Sequence, residues 1–191
     1  SNLARCIESV GDFRLSVQRN RSVFEYLIRS IVYQQLTGKA AATIYGRLLD
    51  QFPFRRIRPE QILTRTDTEL RSVGLSKSKC HALRDLAEKT LSGMIPATKQ
   101  LHRMTDEEIV QCLTVVRGIG RWTSEMFLMS CLKRLDVFSV SDAGLRRAMR
   151  YLYQLHDPSD ADLVALAEHW RPYRSVASWH LWRALDNNWI E

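Results

Sequence analysis

The stretch VRGIGRWTSEMFL, residues 116–128, is the part of the sequence that decides the expected fold. Two glycines flank Ile119, and an arginine, a tryptophan and an apolar run with helical spacing follow. We interpret the stretch as a hairpin in which one helix runs into Arg117, residues 118–120 reverse the chain, and a second helix starts near Arg121. Glycine lets backbone N–H groups approach a ligand closely, and N–H groups at a helix N-terminus attract anions. The hairpin therefore fits a DNA phosphate, with arginine charge on both sides of it.

A plain helical corner, in which the two glycines only turn the chain, is the alternative that the hairpin alone leaves open. The segment that follows bears on this choice, because Asp142 stands at the start of a helix that carries Arg146 and Arg147. An aspartate in that position is usually an N-cap that stabilises its helix. A carboxylate beside a phosphate-binding hairpin would also face a polyanion that repels it. Its placement there indicates a chemical role.

The composition narrows the class of partner. The 191 residues carry a formal net charge of +7, with a pI near 9.5, and arginine supplies most of the basic residues. Planar guanidinium groups suit bidentate phosphate contacts, so nucleic acid ranks above an anionic membrane. Since no run of about 18 uncharged apolar residues is present, we expect a soluble, intracellular protein. Four cysteines lack metal-ligand spacing and are interpreted as reduced core thiols: Cys6, Cys80, Cys112 and Cys131.

Helical spacing of apolar residues recurs along the chain, and strand signals are nearly absent. Two predicted buried faces consist of Phe24, Leu27, Ile28, Ile31 and Val32, and of Leu83, Leu86, Ala87 and Leu91. Helix starts are indicated where Thr105 precedes Glu108 and where Ser159 precedes Asp162, each pair having the spacing of a capping box. With prolines between the apolar segments, the pattern predicts about ten short helices in a compact array.

Three stretches together resemble a known family. They are LIRSIVYQQLTGKAAATIYGRL, the hairpin VRGIGRWTSEMFLM with DVFSVSDAGLRRA after it, and EHWRPYRSVASWHLWRAL. A hairpin of this type followed by an aspartate resembles the helix-hairpin-helix superfamily of base-excision DNA glycosylases. Within that superfamily, the combination is similar to the 3-methyladenine DNA glycosylase II group. The resemblance covers roughly residues 20 to 190.

The resemblance implies an all-α, two-lobed helical bundle of the DNA-glycosylase type, with a helix-hairpin-helix motif. A central lobe, residues 22–134, would hold the hairpin and a loop that wedges into DNA. The second lobe, formed by residues 1–21 and 135–191, would carry Asp142 and the aromatic helix at the C-terminal end. Asp142 would lie in the cleft between the lobes.

The activity implied by the resemblance is the hydrolysis of the N-glycosidic bond of alkylated purines in duplex DNA. Substrates of the 3-methyladenine and 7-methylguanine type would be reached by flipping the nucleotide out of the stack. The glycosylase-lyases of the superfamily form a Schiff base through a lysine at the position of Trp122, and an indole cannot act as that amine. The four-cysteine pattern of the iron–sulfur branch is also missing. We therefore expect a monofunctional enzyme without lyase activity.

Position by position, the resemblance makes Asp142 the catalytic carboxylate. The base pocket would be formed by Trp122, Trp182, Tyr33, Gln34, Gln35 and Met126. The hairpin residues that bind DNA would be Arg117, Gly118, Ile119, Gly120 and Arg121. The wedge loop would contact DNA through Leu75, Ser76, Lys77 and Lys79. A structural Na⁺ or K⁺ would bind at the backbone carbonyls of Thr114, Val116 and Ile119, and no other cofactor is expected.

The sequence departs from the pattern of the family at several of these positions. Arg117 replaces a proline that often precedes the hairpin glycine, and Met126 stands where some relatives have a pocket tyrosine. Ser141 stands where many relatives have the first of two aspartates. The wedge loop either uses Leu75 as its apolar plug or lacks a plug. These changes leave the expected fold intact and bear on substrate range.

Two other functions remain open at this point. One is a lesion-binding or abasic-site-binding protein of the same fold with little or no catalysis. The other is a helix-hairpin-helix module that binds duplex backbone without regard to damage, although it leaves the C-terminal aromatic residues unexplained. In each case the expected partner is double-stranded DNA, with no membrane contact and a monomeric chain. The expected location is the nucleus in a eukaryote, or the cytoplasm and nucleoid in a bacterium.

Overall fold

The computed structural model describes residues 2–14 and 22–190, and every regular element in these ranges is helical. The α-helices are α1 Asn2–Val10, α2 Val23–Tyr33, α3 Gly38–Asp50, α4 Pro59–Thr64, α5 Asp67–Ser72, α6 Lys77–Leu91, α7 Thr98–Leu101, α8 Asp106–Thr114, α9 Arg121–Ser130, α10 Ala143–Tyr153, α11 Asp160–Glu168 and α12 Arg174–Asp186. A short 3₁₀ helix, Pro53–Arg55, joins α3 to α4. The all-α class is confirmed. None of the described helices is both long and apolar enough to span a bilayer.

The predicted capping boxes are confirmed at the starts of α8 and α11. The Glu108 N–H donates to Thr105 Oγ1 over 3.3 Å, and the Thr105 N–H donates back to the Glu108 carboxylate over 2.7 Å. Ser159 and Asp162 make the same reciprocal pair, at 3.2 and 2.9 Å. Each box satisfies two backbone groups that a helix start would otherwise leave without a partner. These local bonds explain why short helices begin where the sequence indicates.

The chain divides into two compact units. The discontinuous unit combines Ser1–Gln18 with Glu125–Glu191, and the continuous unit is Arg19–Ser124. The lobe boundaries expected from the sequence stay a prediction, and the one placed between residues 21 and 22 lies at the edge of a segment outside the described residues.

The continuous unit is organised around α6, which packs against α2, α4 and α5, while α2 also packs against α3. Its fully buried side chains include Leu27, Ile28, Ile31, Leu48, Ile62, Leu70, Leu83, Leu86, Leu101, Ile109 and Leu113. The two predicted apolar faces are buried except at Leu91, which is 48% exposed. Leu91 is helical as the spacing predicts, but α6 ends at this residue, so no further turn covers its side chain. Of the cysteines, Cys6 and Cys80 are buried and the other two are half-buried thiols.

In the discontinuous unit, α12 packs against both α1 and α10. Its core consists of Cys6, Leu145, Ala148, Met149, Leu152, Leu163, Ala167, Trp170, Ala177, Leu181, Ala184 and Ile190. Trp170 packs edge-on against Phe138, with ring centroids 5.7 Å apart, and its indole N–H donates to the Tyr153 hydroxyl over 3.3 Å. Trp170 is thus a core residue whose polar group has a partner.

A half-buried arginine, Arg174, links the start of α12 to the segment before α10. Arg174 Nε donates to Asp136 Oδ1 over 2.8 Å, and Nη2 donates to the Asp136 carbonyl over 2.8 Å. Ser175 adds a second link, because its hydroxyl donates to the Arg134 carbonyl and accepts from the Val137 N–H. Charge-assisted bonds of this kind are stronger than neutral ones. These bonds fix the helix that carries Trp182.

We expect Asp136→Asn to remove part of the pH dependence of stability. Burial alone would raise the pKa of Asp136, but hydrogen bonds and charge from Arg174 outweigh burial and lower that pKa. A lowered pKa in the folded state stabilises the fold above the unfolded pKa of about 3.9, and this stabilisation is lost as the pH falls through the folded pKa. Urea unfolding between pH 2 and 7 should show a flatter pH profile for the variant.

The same variant should lose about 1–2 kcal/mol of unfolding free energy at pH 7, because the arginine loses charged acceptors. Asp186→Asn is the matched control, since Asp186 makes an exposed ion pair with Arg183 on the last turn of α12. Such pairs contribute roughly 0–1 kcal/mol. Equal pH profiles of unfolding free energy for wild type and Asp136→Asn would contradict a stabilising role of the bonds between Asp136 and Arg174.

Candidate active site

Asp142 is the N-cap of α10, and it is only 9% exposed. Its Oδ1 accepts the Leu145 N–H over 2.8 Å, which is the capping bond of the helix. The same oxygen accepts the indole N–H of Trp182 over 3.0 Å, from α12. The interpretation of Asp142 as an N-cap is therefore confirmed. The indole N–H of Trp182 is a second donor that the capping role does not require. Two converging donors fix the orientation of the carboxylate.

Gly144 is a site residue that sequence reasoning missed. A Cβ atom at Gly144 would lie 3.2 Å from Asp142 Oδ1, which is tighter than most real contacts of a Cβ, and 3.4 Å from Trp182 Cδ1, which is close to an ordinary contact. The absence of a side chain thus leaves room for the carboxylate oxygen that accepts the indole N–H. A glycine in the first turn of a helix, where it lowers helix stability, was the signal that could have found it.

The hairpin has the predicted second helix but a different first boundary. α9 starts at Arg121 as expected, whereas α8 ends at Thr114, three residues before Arg117. The Val116 carbonyl then accepts the Ile119 N–H over 3.0 Å, which closes the turn. The side chains of Val116 and Ile119 are 1% and 4% exposed, so the turn is anchored by two buried apolar residues. The prediction that the first helix reaches Arg117 is wrong, because this anchored turn replaces the last helical residues.

The two hairpin glycines have different reasons for being glycine. Gly118 has φ of +79°, in the left-handed region that side chains with a Cβ rarely adopt. Gly120 has no such angle, and a Cβ placed on it would meet no described atom within 4 Å. The backbone conformation therefore explains why residue 118 is a glycine, but it does not explain the glycine at position 120. At Gly120 the space around a Cβ is open, so a bound ligand could approach the backbone there.

Side chains from two other segments hold the inner backbone of the hairpin. Gln34 Nε2, just past α2, donates to the Gly118 carbonyl over 2.7 Å. The Asp85 carboxylate, on α6, accepts the Arg117 N–H over 2.7 Å. Burial would raise the pKa of Asp85, but the hydrogen bonds from Arg117 and Lys89, together with their charges, lower it. Asp85 was not singled out from the sequence, because nothing local links it to the hairpin.

The predicted wedge loop exposes polar side chains. Leu75 is only 4% exposed, whereas Lys77 is exposed. Ser76 is the N-cap of α6, and its Oγ accepts the Lys79 N–H over 3.3 Å. The Lys79 ammonium donates to the carbonyls of Val32 and Gln34, each over 2.8 Å. An apolar plug from Leu75 is therefore absent in this conformation, and Lys79 is engaged with the end of α2.

The predicted pocket side chains differ in exposure. Trp122 is 45% exposed, and Met126, one turn later in α9, is half-buried. The Tyr33 ring lies under the Arg29 guanidinium, with Cζ 3.8 Å from the ring centroid. Gln35 is exposed and has φ of +56°, a left-handed conformation that is costly for a residue other than glycine.

Arg121 forms an exposed ion pair with Glu107. Its Nη2 lies 2.7 Å from the carboxylate, and this hydrogen bond lowers the pKa of Glu107. Both side chains are more than half exposed, so solvent screens the pair and it contributes little to stability. The arginine can exchange this partner for a phosphate at small cost.

The predicted site for a monovalent cation consists of backbone carbonyls of the hairpin. The Val116 carbonyl uses one lone pair for the Ile119 N–H, and its second lone pair remains for another partner. Thr114 ends α8, where the last carbonyls lack intrahelical partners and carry the negative end of the helix dipole. Neutral oxygen donors of this kind suit Na⁺ or K⁺. Among the described residues, no cluster of three His, Cys, Asp or Glu side chains could hold a metal ion.

Comparisons with known proteins identify the family of the chain. The family described as HhH-GPD superfamily base excision DNA repair protein matches residues 28–172. The chain is 35% identical over 189 residues to DNA-3-methyladenine glycosylase 1 of Schizosaccharomyces pombe, covering 95% of this chain and 81% of that protein. The solved 3-methyladenine DNA glycosylase of S. pombe, in complex with abasic DNA, has a TM-score of 0.87 at 34% identity, covering 97% of this chain and 92% of that one.

A solved DNA-3-methyladenine glycosidase from Bacillus halodurans is similarly close. Its TM-score is 0.86 at 38% identity, and the match covers 96% of this chain and 84% of that one. These findings confirm the resemblance and the DNA-glycosylase type of helical fold. The chain belongs to the HhH-GPD superfamily of base excision DNA repair proteins.

Proposed function

We propose that this protein is a monofunctional DNA glycosylase that hydrolyses the N-glycosidic bond of alkylated purines, of the 3-methyladenine and 7-methylguanine type, in duplex DNA. The observation that carries the proposal is Asp142, a buried carboxylate oriented by the indole N–H of Trp182 as well as by its own helix. The names of its relatives support the substrate class, since they are DNA-3-methyladenine glycosylases.

Asp142 supplies what cleavage of this bond requires. As the bond between C1′ and the base nitrogen breaks, its electron pair leaves with the base and positive charge builds on the sugar. A carboxylate near C1′ stabilises that charge and can accept a proton from the attacking water. The water oxygen then bonds to C1′, and the products are the free base and an abasic site.

The hairpin is proposed to bind the DNA backbone beside the lesion. The space beside Gly120 is open, and Arg117, in the same turn, is exposed. A monovalent cation at the carbonyls of Thr114, Val116 and Ile119 would add positive charge there. Flipping a nucleotide out of the duplex costs roughly a few kcal/mol, and damaged, poorly paired bases cost the least. Firm contacts to the backbone can offset that cost.

Aromatic residues are proposed to receive the flipped base. Trp122 and Trp182 offer indole faces, which attract the cationic ring of an N-alkylated purine by about 1–2 kcal/mol when water is excluded. The alkylated base is already a good leaving group, so little acid assistance is needed. Trp122 has no amine, so a Schiff-base lyase step through this position is not expected.

We infer that the protein works as a monomer on genomic DNA. Its substrate places it in the nucleus of a eukaryote, or in the cytoplasm and nucleoid of a bacterium. The net charge of +7 favours DNA as the partner.

The experiment that tests the proposal is single-turnover release of free base from a methylated duplex, with the protein in excess. We expect release of methylated purines and none from an undamaged duplex of the same sequence. Binding to a duplex with an abasic-site analogue is measured in parallel. Tight binding without base release would mean that the protein binds lesions and is not an enzyme. Equal binding to damaged and undamaged duplexes, again without release, would mean that it binds the DNA backbone without regard to damage.

A further inference from the structure

We propose that Gln34, Asp85 and Lys79 are positioning residues that preset the hairpin for one DNA phosphate, and that Lys79 acts through Gln34 rather than by contacting DNA. This inference rests on the proposed function, because it takes the hairpin as the site that binds the backbone. It deepens that function by assigning the support of the hairpin to three side chains of the continuous unit.

The first step is the hairpin backbone itself. The Arg117 N–H is held by Asp85, and the Gly118 carbonyl is held by Gln34, each over 2.7 Å. These two groups belong to the peptide planes on either side of the bond between Arg117 and Gly118. With both flanking planes held, the plane between them can turn only by a coupled rotation about ψ of Arg117 and φ of Gly118. The φ of +79° at Gly118 is one of the orientations that this rotation allows, so the supports restrict the direction of the Gly118 N–H before any ligand binds.

The second step is the support of Gln34. The Lys79 ammonium donates to the Gln34 and Val32 carbonyls, each over 2.8 Å, at the C-terminal end of α2. Burial lowers the pKa of Lys79, as expected for an ammonium withdrawn from solvent. A cation at the end of a helix satisfies carbonyls that lack intrahelical partners. Lys79 therefore secures the backbone of the residue whose side chain holds the hairpin.

The third step is that one face of α6 provides this support. Lys79, Ala82, Asp85 and Lys89 recur every three or four residues, which places them along one side of a helix. A Cβ on Gly118 would lie 3.7 Å from Ala82 Cβ and 3.9 Å from Gln34 Oε1, so the hairpin rests closely on this face. Lys89 completes the row through its ion pair with Asp85.

A preset hairpin should affect DNA binding rather than bond cleavage. Ordering the loop in advance removes that ordering cost from the binding step. Each phosphate contact contributes about 0.9 to the slope of log K against log salt concentration. Loss of the hairpin geometry should therefore lower the slope by about one contact, with the chemical step at Asp142 unchanged.

The test uses Asp85→Ala and Gln34→Glu in the full chain, with a methylated duplex as the probe. For both variants we expect a Kd about tenfold higher and a salt slope lower by about one, and for Asp85→Ala we also expect a single-turnover rate at saturating protein within about twofold of wild type. Asp85→Asn keeps an oxygen that accepts the Arg117 N–H. Its Kd and salt slope should therefore be closer to those of wild type than the values for Asp85→Ala.

Gln34→Glu keeps the shape of the side chain, but an ionised glutamate cannot donate to the Gly118 carbonyl, whereas a protonated one can. The affinity of Gln34→Glu relative to wild type should therefore recover as the pH falls below about 5, through the ordinary range for a glutamate pKa. Because an ionised glutamate would also repel DNA, the neutral variant Gln34→Met, of similar size, tests the hydrogen bond without a change of charge. A side chain that only fills space would leave Gln34→Met with the wild-type affinity and salt slope.

Matched controls exist in the same unit. Gln51→Ala removes a glutamine at the end of α3 whose Nε2 donates to the Glu69 carbonyl, and Asp67→Ala removes a carboxylate that pairs with Arg84 on α6. Neither side chain contacts the hairpin in these bonds, so both variants should keep the wild-type salt slope.

Unchanged salt slopes in Asp85→Ala and Gln34→Met would overturn the inference, as would a fall in the saturated rate of Asp85→Ala with unchanged Kd. If wild type binds DNA but releases no base, the proposed function fails, while the comparison of salt slopes still decides whether these residues support the hairpin. If Asp85→Ala does not fold, the salt slope of Gln34→Met carries the decision alone.

Discussion

Asp142→Asn is expected to slow single-turnover release of methylated base by about a thousandfold, a loss at the upper end of that seen when one stabilising group is removed from a transition state. Asparagine is as good an N-cap as aspartate, and its carbonyl oxygen can accept from both Leu145 and Trp182. The fold should therefore persist while the negative charge is removed. Because that charge repels the DNA backbone, the affinity for an abasic duplex should stay the same or rise.

Capping and catalysis are separated by comparing two substitutions at Asp142. Asp142→Ala should lose about 1 kcal/mol of unfolding free energy through the missing cap, whereas Asp142→Asn should lose little. Both variants should be equally poor in base release. Release by Asp142→Asn at the wild-type rate would show that Asp142 only caps its helix.

Trp182→Phe is expected to slow base release by about 10–100-fold, because small errors in the placement of a reacting group have costs of this order. Phenylalanine keeps an aromatic face but cannot donate to Asp142 Oδ1. The carboxylate then retains the Leu145 N–H and loses the donor that comes from α12. The effect should appear in the single-turnover rate at saturation.

A double-mutant cycle tests whether Trp182 acts through Asp142. If the indole orients the carboxylate, Trp182→Phe should cost little in a chain that already carries Asp142→Asn. Trp179→Phe, one turn earlier in α12, is the matched control, since its ring packs against Phe13. If the rate reductions of the two single variants multiply in the double variant, Trp182 acts independently of Asp142, for example by contacting the base.

Features set by neighbouring residues could be predicted from the sequence. The start of α9 at Arg121 follows from the hairpin glycines, and the cap at Asp142 follows from the helix that comes after it. The capping boxes are equally local, because both partners lie within one turn. These elements depend on bonds that close within a few residues.

Features set by distant residues could not be predicted. The Arg117 N–H is taken by Asp85, which lies far upstream in the sequence, and the turn around it replaces the end of α8. Lys79 looks like a surface cation in the sequence, and its direction depends on where α2 ends. The burial of Leu75 likewise depends on tertiary packing.

The capping role of Asp142 bears on how activity can be inferred across this superfamily. A residue needed for helix stability will tend to be retained by selection even in a chain that has lost its catalytic function. An aspartate at this position is therefore weak evidence of activity in a related sequence. Joint retention of Gly144 and Trp182 is stronger evidence, because the cap needs neither. Inactive descendants should lose this pair and keep a capping residue at position 142, which asparagine or serine provides as well as aspartate.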